Sequence, residues 1–243
     1  ADSEGDSERT RISFDFDYAS SEDSNFDLIK GSLYFNEMDY ENNYKERTQT
    51  GGTDNVHDLE QDTLGGNLQV SNELMVGDTR HLITYGLEAS KFNGVRTARD
   101  YSPNGQGVYE LDSGYPQKTV PETDVNKYGI YFQNEVSLGD LEIIGGIRYD
   151  RYDLDSIKDD DWLREGSTRR FVNPKTAVPD PVDISASSFN PHLSAILKVN
   201  EDTSVYGKYS KGFRAPTWEE LNSSHFNIFG PANGAGYATF GDP

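Results

Sequence analysis

The sequence contains no cysteine, which removes disulfides, thiolate metal centres and cysteine nucleophiles from consideration. It is also poor in basic residues: 22 lysines and arginines stand against 42 aspartates and glutamates, a formal net charge of −20. Nucleic-acid binding draws on cations that neutralise phosphates, so this balance argues against such a partner. Only 34% of the 243 residues are hydrophobic, enough for a thin core if the chain were water-soluble. No run of about 18 apolar residues occurs, so no transmembrane helix is encoded. The opening "ADSEGDSERT" is acidic and polar, unlike a secretory leader. No Ser-His-Asp order, phosphate-cradling glycine loop or zinc-ligand spacing stands out. What the chain does have is tyrosine (15) and glycine (23).

It also has alternation. In "RISFDFDYAS" Ile12, Phe14, Phe16 and Tyr18 share one face, with Arg11, Ser13, Asp15 and Asp17 on the other. "NKYGIYFQNEVSL" sets Tyr128, Ile130, Phe132, Val136 and Leu138 against Lys127, Gly129, Tyr131, Gln133, Glu135 and Ser137. "LEIIGGIRYD" separates Leu141, Ile143, Ile147 and Tyr149 from Glu142, Gly146, Arg148 and Asp150. "FNPHLSAILKV" separates Phe189, Leu193, Ala195, Leu197 and Val199 from Asn190, His192, Ser194 and Lys198. A period of two means strands. The pattern predicts about eight of them, near 11–18, 27–40, 61–76, 80–97, 125–138, 141–155, 188–199 and 203–213.

The links between them alternate in length. "SSEDSN", "GDT", "GD" and "NED" are short, whereas those after the second, fourth and sixth strands are long and polar, as at 99–123 and 158–187. Tight turns on one side and long loops on the other are the layout of an outer-membrane barrel. A soluble sandwich would use shorter strands and shorter loops. The fold class is therefore all-β, an antiparallel up-and-down transmembrane barrel segment. Ile130, Phe132, Ile143, Ile147, Leu193 and Leu197 are expected to face lipid, with Lys127, Glu135, Arg148, His192 and Lys198 facing inward. Tyr18, Tyr40, Tyr101, Tyr149, Tyr152 and Tyr209 near strand ends fit an aromatic girdle. Alone, the segment should form an open curved sheet with two unpaired edges, an aggregation liability.

Near the end of the chain "YSKGFRAPTWEEL" (Tyr209–Leu221) leaves the last strand and stops alternating. It resembles the box of TonB-dependent outer-membrane receptors, the energised importers of iron chelates, heme and cobalamin. "HLITYGLEASKF", "KYGIYFQNEVSL" and "GGIRYDRYD", in that order upstream, support the resemblance, which covers most of the chain from about residue 60. It implies that residues 1–243 are part of a larger barrel. Family barrels close with about 22 strands around a plug, so the plug and the remaining strands are expected to lie outside this sequence. It also implies a Gram-negative outer-membrane location, lipid around the wall and a TonB energy-transducing partner acting through the plug.

The resemblance extends to a ligand. In heme and hemoglobin receptors of the family, the box Phe213-Arg214-Ala215-Pro216 is followed by a histidine that ligates heme iron. Here His225 follows, in "NSSHFN". A neutral imidazole is a good axial ligand, and Phe226, Phe229 and Trp218 would offer apolar area to a porphyrin. From the residues alone, His225 reads first as an ordinary polar loop residue, and it is the resemblance that makes it a ligand. The implied function is import of heme from hemoglobin or other heme proteins, with heme as transported ligand, no cofactor of the chain's own and no catalysis. The alternatives are a ferric-siderophore receptor of the same family and an outer-membrane hydrolase or small structural barrel. The hydrolase would need His192 beside Asp150 or Asp153. Arg214 and Pro216 read as residues that set the strand end. Glu219 and Glu220 read as a solvated face, as does "DLDSIKDDDW" (Asp153–Trp162), which lacks calcium-loop spacing.

Overall fold

The computed structural model describes residues 2–20, 26–48, 51–112, 115–162, 180–226 and 237–240, with backbone alone at 47–48, 223–226 and 237–240. The strands are β1 (Asp2–Ala19), β2 (Leu28–Thr48), β3 (Gly51–Val76), β4 (Thr79–Pro103), β5 (Tyr109–Leu111), β6 (Gln117–Leu138), β7 (Leu141–Ile157), β8 (Ile184–Asn200) and β9 (Thr203–Ser210). They form one antiparallel sheet in the order β1-β2-β3-β4-β6-β7-β8-β9, with the short β5 on the upper end of β4. One helical turn, α1 (Trp218–Asn222), then leads into a separate pair, β10 (Ser223–Phe226) and β11 (Tyr237–Phe240). No helix among the described residues is long and apolar enough to cross a membrane. β1 and β9 are the open edges of the sheet.

Each expected strand is present. At Gly77 and Gly139 the chain reverses in two residues, with φ of 63° and 61°. Only glycine enters that region without cost, and such turns match the twist of the strands they join. The register then fixes the faces. Phe14↔Leu33 and Phe132↔Ile147 pair directly, and these apolar rows remain uncovered: Ile130 is 59% and Leu193 55% exposed. An apolar surface of this extent, with polar residues on the opposite face, is the pattern of a barrel wall with its apolar side outward.

The opposite face is wired by polar contacts. Arg148 of β7 is held by Glu88 of β4 and, at 2.6 Å, by Asp150. Asn190 of β8 donates to Asp150 at 2.7 Å. Tyr131 of β6 donates to Gln69 of β3 at 2.9 Å. The network stitches the wall from β3 to β8.

Three sequence expectations are corrected. Strands two and three do not stop at 40 and 61; the ladder runs on to Thr48↔Gly51. Residues 41–48 and 51–60 are mostly polar on both faces, so they carry no alternation, yet backbone hydrogen bonding does not require it. His57, in the link between the expected second and third strands, is therefore a strand residue paired with Ala98. The long link at 99–123 contracts for the same reason, since β4 ends at Pro103 and β6 starts at Gln117. The girdle is also thinner than expected. Tyr18, Tyr149 and Tyr209 lie on outward rows, but Tyr40 and Tyr152 fall on inner ones.

A membrane-spanning strand needs about 9–11 residues, whereas β3 has 26 and β4 has 25. The surplus rises above the apolar band. There acidic residues stand abreast on the outer face: Glu8 opposite Asp39 and Asp39 opposite Glu60, then Asp6 opposite Glu41 and Glu41 opposite Asp58. Arg99 answers part of this charge, 2.6 Å from Asp58 and 3.4 Å from Glu41.

The face assignment predicts a sharp asymmetry. In full-length receptor, Ile147→Arg places a cation within the lipid-facing band and should cost about 2–4 kcal/mol. Ser194→Arg, on the inner face of β8, should cost far less. Urea titration of barrels folded into vesicles distinguishes the two.

Candidate functional site

The site begins where β9 ends. Lys211 N–H still donates to Pro191 O at 3.0 Å, and the chain then turns over the inner face of the wall. Phe213 and Ala215 pack there while Arg214 points away, its side chain 76% exposed. Arg214 reaches Glu220 at 2.5 Å. Pro216 supplies an acceptor: its carbonyl takes a hydrogen bond from the Tyr152 hydroxyl at 2.9 Å. The box thus sets the exit from β9.

Thr217 starts α1. Its backbone N–H donates to the Glu220 carboxylate at 2.8 Å, and Glu220 N–H donates back to Thr217 Oγ1 at 3.3 Å. This reciprocal pair is a capping box, which satisfies two N–H groups that a helix start leaves unpaired. The Thr217 N–H, followed by Arg214, holds the Glu220 carboxyl below its ordinary range. Glu220 is therefore a structural carboxylate rather than part of a solvated face, and Glu219 approaches Arg96 at 4.0 Å. The signal was legible in "TWEE", a Thr with Glu three residues on.

The turn buries Trp218, Leu221 and Asn222. Trp218 and Leu221 complete a core with Val120, Val125, Tyr152 and Leu154 from the inner face of β6 and β7. The Trp218 ring lies 5.6 Å from that of Phe92 on β4. Gly94 leaves room for this: a Cβ there would stand 2.5 Å from the Phe92 ring and 3.2 Å from Trp218. Trp218 is 7% exposed, so its surface is committed to the wall and no ring face is open to a ligand.

Beneath the box lies a recess of about 530 Å³ between Phe213 and Ala215 above and Lys127, Glu88, Arg148 and Asp150 below. Beyond α1 the chain enters β10, where His225 pairs with Ala238 and Phe226 with Tyr237. Backbone placement is all the structure gives for His225 and Phe226, and Phe229 lies outside the described residues.

The other histidines have partners or positions unsuited to a ligand arriving from outside. His192 Nε2 is 3.1 Å from Gln133 Oε1, and His81 Nδ1 is 3.1 Å from Asn134 Nδ2 beside a tight turn. The pairing of His192 with Asp150 or Asp153 is not formed. Asp150 is held by Arg148 and Asn190, and Asp153 lies on an outward row with Arg151 at 2.7 Å. In the acidic stretch after β7, Asp159 pairs with Lys118 and accepts from the Asp161 and Trp162 N–H groups at 3.0 and 3.1 Å. No group of acidic or histidine side chains among the described residues is arranged to hold a metal ion.

The family model "TonB dependent receptor-like, beta-barrel" matches residues 1–243. The chain belongs to the TonB-dependent receptor family. Barrels of this family are those of Gram-negative outer membranes, and its members are transporters rather than enzymes, so the hydrolase alternative is set aside. A hemin receptor of Yersinia enterocolitica is 26% identical over 173 residues, 69% of this chain and 20% of the relative. A hemin receptor of Yersinia pestis is 25% identical over 174 residues, 70% of this chain and again 20% of the relative. The chain therefore spans about a fifth of the length of these curated relatives. Among solved structures it is similar to the copper transporter OprC, with a TM-score of 0.60, 17% identity and coverage of 87% of this chain and 31% of that one. The ferric preacinetobactin receptor BauA of Acinetobacter baumannii matches with a TM-score of 0.55, 12% identity and coverage of 91% and 33%. These two likenesses bear on the fold alone.

Proposed function

We propose that this TonB-dependent receptor segment is the outer part of a heme importer, and that His225 ligates the iron. The observation that carries the reading is the course of the chain after β9. The Phe213–Pro216 box and α1 are anchored on the inner wall, and the next element, β10, bears His225. The hemin-receptor relatives, matched over about 70% of the chain, support the same ligand. In this reading heme is cargo, drawn from hemoglobin or another heme protein and passed inward unchanged. The TonB complex supplies the energy through a plug outside this sequence, and outer-membrane lipid covers the apolar face.

The test is a pair of titrations on purified full-length receptor. Hemin should bind with a shifted, sharpened Soret band, and a ferric siderophore should not compete. Siderophore binding without any hemin spectrum would replace heme by an iron chelate as the cargo.

A further inference from the structure

Asn222 ends α1 and immediately precedes β10. Asn222 is 2% exposed, and three of its amide's four hydrogen-bonding positions are used. Oδ1 accepts from Val182 N–H at 2.7 Å, while Nδ2 donates to Val182 O at 2.9 Å and to Ser156 Oγ at 2.9 Å. The chain of donors continues across the wall. Ser156 Oγ is 3.1 Å from Thr123 Oγ1, and Thr123 donates to Pro121 O at 2.9 Å. With Thr123 donating to Pro121, Ser156 must donate to Thr123, which leaves the Ser156 oxygen to accept from Asn222. The amide orientation is thereby fixed by its partners. Asn222 thus ties three pieces together: the start of β10, the segment that enters β8, and the paired strands β6 and β7.

We propose that Asn222 is a positioning residue for the iron site, holding the strand that carries His225 at a set place over the inner wall. This rests on the reading of His225 as the iron ligand. The sequence between Asn222 and His225 is only "SS", so displacement of this corner reaches the backbone of His225 within three residues. Buried polar groups that lose their partners are costly, and removing the buried amide would free the Ser156 hydroxyl and both backbone polar atoms of Val182, itself 38% exposed, from α1. The corner would therefore come loose from the wall when the amide is removed.

The experiment is a double-mutant cycle on full-length receptor: wild type, Asn222→Ala, His225→Ala and the double variant, each titrated with hemin and with metal-free protoporphyrin IX. Asn222→Ala should weaken hemin binding by about tenfold, or 1.4 kcal/mol, and alter the Soret band, with little change for protoporphyrin. In the His225→Ala background it should add nothing, because coupled residues are non-additive. Ser156→Ala removes one of the three bonds and should move the spectrum the same way by less, which covers the case in which Asn222→Ala fails to assemble. Additive losses, or equal losses for both porphyrins, would show a merely structural role and overturn the proposal while leaving His225 a ligand. If His225→Ala itself leaves hemin binding unchanged, the ligand reading falls and the positioning role with it.

Discussion

Full-length receptor carrying His225→Ala binds hemin about tenfold more weakly or worse, and the Soret band of the residual complex resembles that of unligated hemin. Alanine removes the imidazole, and no phenylalanine nearby can coordinate iron. Cells dependent on this receptor lose growth on hemin, while uptake of an unrelated chelate through other receptors continues. A second ligand from the plug would leave some binding but not the wild-type spectrum. In the wild type, affinity also falls as the medium is acidified through the range in which imidazole takes a proton, since a protonated nitrogen cannot coordinate. Identical spectra and affinities for both proteins would rule out His225 as the iron ligand.

The second large effect is structural. Trp218→Ala should cost about 3–5 kcal/mol, the usual range for deleting a large buried aromatic. That cost falls on the corner and not on the barrel. Trp218 packs on Phe92 and within a cluster that also contains Leu221, Tyr152 and Leu154, whereas the strands are joined by their own ladders. The variant should still run as a folded, heat-modifiable barrel on electrophoresis, yet be cut by protease between 211 and 226. A barrel that no longer assembles would mean that this core supports the wall itself.

Why the sequence was readable in some places and not others follows from the faces. Ile130, Phe132, Ile147, Leu193 and Leu197 lie on outward rows because an apolar face on one side and polar contacts on the other impose a period of two. Above the membrane that constraint lapses. Residues 41–48 and 51–60 form strand with no periodicity to announce it, and the pairing of β2 with β3 there is a matter of backbone. The inner surface hid a second core for a related reason. Val125 and Leu154 are apolar residues on rows that are mostly polar, and the return of Trp218 and Leu221 over them explains their choice. The capping box is written in "TWEE", although its two glutamates also fit a solvated face. The clasp at Asn222 had no local signal, because its partners lie 40 and 66 positions away in sequence.

The rows of carboxylates above the apolar band have a consequence for how the rim responds to its medium. Glu8, Asp39 and Glu60 stand directly opposite one another across three strands, and Asp6, Glu41 and Asp58 do so in the next outward row. Like charges at such positions push the strands apart, and Arg99 offsets only the Glu41–Asp58 part of that repulsion. These groups face water, so dissolved salt screens them over a distance of about 10 Å at 0.1 M, while it does nothing for Phe14, Leu33 or Leu64 lower on the same strands. The upper hairpin of β2 and β3 is thus zipped more firmly in brackish surroundings than in fresh ones, and the height of the standing wall becomes a function of ionic strength.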